Sequence, residues 1–179
     1  MKDFVITNVE KIYCGRVVDL SVETIQYPDG SGAKREVVRH PGAVAVVPLL
    51  SPHEVILIRQ FRYCAGAVLW EIPAGTLERG EDPTECAHRE LIEEVGYRAR
   101  EMERLCAFYT SPGFCNEFLH VFAARNLEPA KAELDKDEQI EAHPVALSEA
   151  FRKIDAGEIV DAKTIIGLLK IRQRLQETT

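Results

Sequence analysis

The stretch Gly75–Tyr97, GTLERGEDPTECAHRELIEEVGY, decides the fold of this chain. The composition of its second part predicts an α-helix over residues 84–95. Asp82 is a good N-cap, and Pro83 suits the first helical turn, where its missing N–H leaves no hydrogen bond unmade. Gly96 can end the helix in a left-handed conformation. A helix with both ends specified is therefore expected here.

This helix carries acidic side chains close to its apolar face. At about 100° per residue, Ala87, Leu91 and Val95 form one apolar stripe. Glu90 and Glu94 flank that stripe, so both carboxylates are predicted to lie at the buried face. Partly buried acids need compensation, and a hard divalent cation such as Mg2+ takes carboxylate oxygens together with water and phosphate oxygens. The alternative is a solvated helix surface held by salt bridges.

The whole stretch resembles the signature sequence of the Nudix hydrolases. Gly75 is followed by five residues and then Glu81, and seven further residues separate Glu81 from the run RELIEEVG at 89–96. Tyr97 departs from the pattern, because an aliphatic residue is commoner at that position. Many fixed positions at set spacing make a chance match remote. The resemblance implies the α/β class, with an α/β/α sandwich around a mixed central sheet, and metal-dependent hydrolysis of a pyrophosphate bond.

The resemblance also implies a role for each polar residue of the signature. The helix glutamates would bind Mg2+, or alternatively Mn2+, together with one backbone carbonyl oxygen. The implied metal ligands are Ala74, Glu90, Glu93 and Glu94. Arg89 would brace Glu81, because a guanidinium group can hold and orient a carboxylate. Glu81, Arg89 and Glu94 are therefore expected to be catalytic residues.

Residues outside the signature resemble those of ADP-ribose pyrophosphatases over most of the chain. They include the run RQFRY at 59–63 and the tripeptide SPG at 111–113. On a strand, Arg59 and Arg62 point to opposite faces, so one of them faces the site. Arg62 better matches the substrate-binding arginine of the family, and Arg59 is expected in a surface ion pair. The residues expected to bind substrate are Arg62, Glu71, Pro112, Gly113 and Glu117.

An acidic cluster supplies the candidate general base. The charged stretch at 124–137 predicts a long polar loop, and ADP-ribose pyrophosphatases carry a catalytic glutamate on a mobile loop in this region. Glu138 is the matching residue, because a carboxylate on such a loop can accept a proton from the attacking water. The alternatives are an acidic surface loop without a catalytic role, or a base at Glu117, Asp135, Asp137 or Glu141.

The 179 residues are expected to form one domain, with 1–40 as a β extension and 41–179 as the catalytic core. Alternation around the turn PDGSG predicts a hairpin at 16–27 and 34–39, and the run AVAVVPLL predicts a strand buried on both faces. Further strands are expected at 55–61, 105–110, 118–123 and 140–146, and helices at 148–155 and 161–176. In ADP-ribose pyrophosphatases the N-terminal hairpin pairs with a second subunit, so the resemblance implies a homodimer.

Charge and hydropathy disfavour several classes of partner. The net charge of −7 disfavours nucleic acid and anionic membranes. No apolar run has the length of a membrane span or signal peptide, and the five cysteines are scattered without a CxxC pair. A cytoplasmic protein with reduced thiols is expected.

The expected reaction converts ADP-ribose to AMP and ribose 5-phosphate. GDP-mannose, flavin adenine dinucleotide and NADH-like dinucleotides offer the same two-phosphate bridge and remain alternative substrates. A sensor that binds ADP-ribose without hydrolysing it is an alternative of a different class. Such sensors tend to lose signature acids, whereas this chain keeps Glu81, Arg89, Glu90, Glu93 and Glu94.

Overall fold

A computed structural model describes residues 3–132 and 139–177 of the chain. Within those residues there are ten strands and three helices. The strands are β1 (Val5–Cys14), β2 (Asp19–Gln26), β3 (Gly32–Arg39), β4 (Ala43–Ser51), β5 (Glu54–Arg62), β6 (Ala67–Glu71), β7 (Ala74–Thr76), β8 (Tyr97–Tyr109), β9 (Phe118–Pro129) and β10 (Ile140–Ala146). The helices are α1 (Pro83–Val95), α2 (Leu147–Asp155) and α3 (Ala162–Glu177).

The chain divides into two compact units, one of Met1–Gly42 with Phe108–Leu119 and one of Ala43–Ala107 with His120–Thr179. The first unit contains a three-stranded sheet in the order β1-β2-β3. The hairpin of β2 and β3 confirms the predicted one, and its turn places Gly30 at φ 82°, a conformation that glycine adopts without strain. The assignment of all 179 residues to one domain stays a prediction.

Strand β1 was not predicted from the sequence. It pairs with β2 in antiparallel orientation, but the register shifts between Ile6 and Asn8 and again between Lys11 and Tyr13. A β-bulge inserts an extra residue and breaks the period-two alternation by which a strand is recognised. The sequence therefore gives no clean strand pattern over this segment.

The second unit is built on a seven-stranded sheet in the order β10-β5-β4-β9-β8, with β6 paired to β5 and β7 paired to β4. Strand β4 runs through its centre. Val44 and Val46 pack in the same core as Leu91 of α1, whereas Val47 lies against Gly167 of α3. Helices thus cover both faces of β4, which explains why its sequence is apolar throughout and confirms the prediction of a doubly buried strand.

The polar loop predicted for 124–137 is wrong at its beginning, because β9 continues through this stretch to its end at residue 129. The charged side chains are accommodated by partners on the neighbouring strand β8. Arg125 bonds Glu103 at 2.8 Å, and the Asn126 amide donates to Glu101 at 2.7 Å. Cross-strand pairs of this kind stabilise a sheet without an apolar pattern.

Three further observations bear on the predicted elements. The expected helices α2 and α3 are present, and β8 starts eight residues earlier than the expected strand at 105–110. All five cysteines are free thiols. None of the helices in the described part of the chain is long and apolar enough to span a membrane.

Candidate active site

Helix α1 has the ends that its sequence specifies. The Asp82 side chain accepts a hydrogen bond from the Thr84 backbone N–H at 2.8 Å, and Pro83 occupies the first turn. At the other end, Gly96 adopts φ 70° and its N–H donates to the Ile92 carbonyl at 3.0 Å. These caps fix where the helix begins and ends, and therefore which of its residues face the sheet.

The two predicted glutamates lie on the buried face of α1, next to strand β7. Glu90 is 8% exposed and Glu94 is 5% exposed, which confirms the prediction from helical periodicity. Glu94 accepts a hydrogen bond from the Ala74 backbone N–H at 3.0 Å. The Glu90 carboxylate lies directly over Gly75, in the space that any β-carbon on that residue would fill. Any side chain at residue 75 would therefore displace the Glu90 carboxylate from this position.

Arg89 joins the acidic residues of α1 to the preceding loop. Its Nε donates to Glu81 at 3.0 Å, and its Nη1 donates to Glu90 at 2.6 Å and to Glu93 at 3.0 Å. Its Nη2 also reaches Glu81, at 3.2 Å. The expected contact between Arg89 and Glu81 is therefore present. The rigid guanidinium fork holds the loop carboxylate and two helix carboxylates at once.

This arrangement keeps the carboxylate of Glu81 ionised. The hydrogen bond from Arg89, helped by one from the Glu78 backbone N–H, lowers the pKa of Glu81 to about 2. In turn, the hydrogen bond to Glu81 and the charge of Glu90 raise the pKa of Arg89. Cys86 behaves differently, because burial raises the pKa of its thiol to about 12. It is a neutral packing residue, since a reactive cysteine needs thiolate character.

A second charged cluster lies in the same unit and is centred on Glu71 of β6. Glu71 is fully buried, and its carboxylate accepts two hydrogen bonds from Arg62, at 2.8 and 2.7 Å. Lys163, near the start of α3, also donates to it. The predicted contact between Glu71 and the substrate stays a prediction. The observed contacts favour an indirect role of Glu71 in substrate binding, through Arg62. Sequence reasoning missed Lys163, which lies 92 residues from Glu71.

The residues expected to bind substrate after the signature lie in the first unit. Pro112 and Gly113 form the exposed tip of a turn in which the Cys115 N–H donates to the Ser111 carbonyl at 2.9 Å. Glu117 accepts a hydrogen bond from the Thr110 hydroxyl at 2.6 Å. Their contact with a substrate stays a prediction.

Two candidate bases lie among the described residues, Glu117 with its bond from Thr110, and Glu141. Glu138, Asp135 and Asp137 lie outside the described residues. Glu141 of β10 is opposite Arg59 of β5, and its side chain is 74% exposed. Directly opposite residues share a face of the sheet, and Arg62 is on the other face of β5. Glu141 is therefore the weaker alternative for a base that acts beside Arg62.

The sequence matches the NUDIX domain family over residues 39–166. The chain belongs to the Nudix family. An ADP-ribose pyrophosphatase of Bacillus subtilis (strain 168) is 44% identical over 93% of this chain and 92% of its own length. A methanol dehydrogenase activator of Bacillus methanolicus is 42% identical over 93% of this chain and 92% of its own length. This Nudix hydrolase therefore resembles an ADP-ribose pyrophosphatase along nearly its whole sequence.

A solved structure shares the fold. The crystal structure of an ADP compounds hydrolase superposes with a TM-score of 0.87, covering 99% of this chain and 97% of that chain at 23% sequence identity. This likeness confirms the expected Nudix fold of the α/β class, with a mixed sheet and flanking helices.

Nudix hydrolases generally use a divalent metal, and the residues of this site suit one by their chemistry. Glu81, Glu90, Glu93 and Glu94 supply hard carboxylate oxygens, which are the donors that Mg2+ and Mn2+ prefer. Together with Arg89, these side chains carry a formal charge of −3. Across 3–132 and 139–177, no three histidine, cysteine or acidic side chains already converge as a ligand group. Arg89 instead holds Glu90 and Glu93, which a cation would have to share.

Replacing Gly75 with alanine tests the close approach of Glu90 to the strand. The methyl group would overlap the Glu90 carboxylate, so the side chain must move away from β7. We expect at least a tenfold loss of divalent-cation affinity, as is found when a ligand's support is disturbed (about 10- to 100-fold). Calorimetric titration with Mn2+ measures this loss.

The matched control is Gly113→Ala, because a β-carbon on Gly113 meets no atom within 4 Å. The control should bind Mn2+ like the wild type and unfold at the same temperature. Unchanged Mn2+ affinity in Gly75→Ala would show that the position of Glu90 over the glycine does not matter for cation binding.

Proposed function

We propose that this Nudix hydrolase cleaves the pyrophosphate bond of ADP-ribose to give AMP and ribose 5-phosphate, with Mg2+ as the cation. The observation that carries the proposal is the pair of buried carboxylates, Glu90 and Glu94, beside the backbone of Ala74 and Gly75. Buried acids with excess negative charge are costly unless a cation compensates them. A diphosphate brings further negative charge, and a divalent cation would compensate both the carboxylates and the diphosphate.

Each residue of the site has a part in this reaction. Glu90 and Glu94 would hold the cation, with Glu93 and the Ala74 carbonyl oxygen as further ligands. When bound, the cation neutralises charge on the diphosphate and lowers the pKa of the attacking water. Arg89 fixes Glu81 and the helix carboxylates in place. Arg62, with a side chain 40% exposed, would bind a phosphate or ribose of the substrate.

The bond changes balance as a hydrolysis. The water oxygen forms a bond to one phosphorus, and the bond from that phosphorus to the bridging oxygen breaks. The bridging oxygen leaves with the other phosphate, so AMP and ribose 5-phosphate each carry one phosphate group. Glu138 would accept the proton released by the water.

ADP-ribose is proposed as the substrate because of similarity to a relative. Catalysis is proposed, instead of binding alone, because of the charged residues of the signature. The relative from Bacillus subtilis that is named an ADP-ribose pyrophosphatase is 44% identical, and all five charged side chains of the signature are present here. The relative from Bacillus methanolicus carries a name that states an effect on another enzyme and no substrate. Other two-phosphate compounds therefore belong in the test.

Strand β1 supports a homodimer as part of the proposal. All ten of its residues are exposed, and it forms the outer edge of its sheet. Its apolar side chains are Val5, Ile6, Val9, Ile12 and Tyr13, each at least 50% exposed. Exposed apolar side chains along an unpaired strand edge favour association. A second copy of this chain, with the same strand, is the partner we propose.

The substrate test compares ADP-ribose, GDP-mannose, flavin adenine dinucleotide, NADH and a nucleoside triphosphate, with Mg2+ and with a chelator. We expect equal amounts of AMP and ribose 5-phosphate from ADP-ribose, formed fastest in the panel and only with the cation. Hydrolysis in 18O-labelled water shows by mass spectrometry which phosphorus is attacked. Faster cleavage of another compound would replace the proposed substrate and keep the reaction.

In the same assay, Glu94→Gln should lower kcat by more than about 100-fold, because a cation contributes several kcal/mol to this chemistry. Glu85→Gln is the matched control, since Glu85 is exposed on the same helix and is not one of the signature's fixed charged positions. Absence of any cation-dependent cleavage by the wild type would favour the sensor alternative.

The general base is tested with Glu138→Gln and Glu141→Gln. We expect the first variant to lower kcat by about 100-fold or more, within the range that general-base catalysis contributes. The second should leave kcat unchanged, because Glu141 is opposite Arg59, on the face of the sheet away from Arg62. The reverse result would move the base to Glu141.

The homodimer is tested by light scattering on Val9→Glu and Val160→Glu. Both replacements put a charge on an exposed valine, at 50% and 60% exposure, but Val9 is on β1 and Val160 is not. We expect wild-type protein and Val160→Glu to be dimeric. Val9→Glu should be monomeric, or its dimer should dissociate at a much higher protein concentration. A monomeric wild type would rule out the dimer.

A further inference from the structure

The Glu71 cluster is unusual because a fully buried carboxylate is compensated by two cations. The Glu71 side chain is 1% exposed, and it contacts both Arg62 and Lys163. Burial alone would raise the pKa of Glu71, but the hydrogen bonds and charges of these two neighbours outweigh it and hold the pKa below its usual value. The carboxylate is therefore a fixed negative charge inside the protein.

The two cations are held differently. Arg62 uses Nε and Nη2 for Glu71, and its side chain is 40% exposed. Within the described residues its third nitrogen, Nη1, makes no hydrogen bond, so part of the guanidinium fork is available to a ligand. Lys163 is only 13% exposed and donates to Asp161 at 3.0 Å as well as to Glu71.

Lys163 is anchored by the turn that starts α3. Asp161 accepts hydrogen bonds from the Thr164 N–H at 3.0 Å and from the Thr164 hydroxyl at 2.6 Å. The Ile72 N–H donates to the same hydroxyl oxygen at 2.8 Å, which ties the turn to the residue after Glu71. The lysine ammonium is thus fixed by the fold, whereas Arg62 keeps an exposed end.

Arg62 is also close enough to Glu94, an acid of the signature, for that charge to affect its pKa. The hydrogen bonds that Arg62 donates to Glu71 are the main cause of its raised pKa, and the charges of Glu94 and Asp161 add to it. An arginine in the field of Glu94 is well placed for a phosphate that a cation bound by Glu94 would also contact.

We propose that Lys163 is a positioning residue that acts through Glu71 on Arg62, and this rests on the proposed function. Lys163 is the permanent counterion of Glu71. Arg62 can therefore donate its free N–H groups to a phosphate without leaving the buried carboxylate uncompensated. Without Lys163, Arg62 would be the whole compensation for Glu71. Removing one partner of a buried ion pair is strongly unfavourable, so Arg62 would be drawn back to Glu71 and away from substrate.

The test is the effect of Lys163→Met on KM and kcat for ADP-ribose. An arginine that holds substrate in both ground state and transition state contributes to KM more than to kcat. We expect KM to rise about tenfold, the size expected for losing a hydrogen bond to a charged group, with kcat within about twofold of the wild type. Lys170→Met removes the same charge from the same helix at a residue that bonds only Gln173 among the described contacts, and it should leave both constants unchanged.

A double-mutant cycle separates action through Glu71 from direct contact with substrate. Glu71→Gln removes the buried charge that Lys163 compensates, so Lys163→Met should add nothing to KM in that background. If the lysine contacts substrate itself, its effect on KM persists in Glu71→Gln, and the proposal is wrong. The double variant no longer buries the charge of Glu71, and Arg62 formally balances the remaining Asp161, so its folding risk is smaller than that of Lys163→Met alone. Lys163→Arg keeps the charge and should restore KM to within about threefold of the wild type.

Binding of a methylene-bridged, non-hydrolysable analogue of ADP-ribose gives a readout that needs no turnover. Calorimetry should show an order of affinity that matches the order of the KM values. Wild type, Lys170→Met and Lys163→Arg should bind the analogue more tightly than Lys163→Met does. If the wild type hydrolyses nothing in the panel but this order of affinity is found, the proposed reaction fails while the role of Lys163 stands. If hydrolysis is found but Lys163→Met leaves KM and affinity unchanged, the role of Lys163 is overturned.

Discussion

The contact between the Glu90 carboxylate and Gly75 is the constraint on which the site depends. The Glu90 carboxylate of α1 can lie this close to strand β7 because residue 75 has no side chain. The same approach places Glu94 within 3.0 Å of the Ala74 N–H. A larger residue would displace the Glu90 carboxylate from its position over the strand backbone. The glycine at the start of the signature thus serves packing, by leaving room for the Glu90 carboxylate.

The helix and its buried acids could be predicted from the sequence because they depend on local rules. The caps of α1 follow from single residues at fixed positions, and the burial of Glu90 and Glu94 follows from helical periodicity. The doubly buried strand β4 follows from composition alone, since only a strand covered on both faces is apolar throughout. In each case the decisive residues belong to one helix or strand and its immediate flanks.

What the sequence did not predict depends on contacts between distant segments. The charged half of β9 is a strand because Arg125 and Asn126 find acidic partners on β8, more than 20 residues away. Strand β1 was missed because two bulges break its alternation. Lys163 was missed because its partner Glu71 is 92 residues away, and a lysine near a helix start carries no signal of that contact. Propensity and periodicity act locally, so they cannot report such pairs.

The two charged clusters of the second unit differ in how their charge is balanced. Glu81, Glu90 and Glu93 share one guanidinium, Arg89, which is 31% exposed, and with Glu94 beside them a large negative charge remains. Glu71 and Asp161 have two cations, Arg62 and Lys163, and their formal charges cancel. A cluster with excess negative charge favours an added cation, whereas a balanced buried cluster favours staying as it is. The first arrangement suits a site that binds and releases a metal with its substrate. The second suits a fixed support, from which one end of Arg62 remains exposed to solvent.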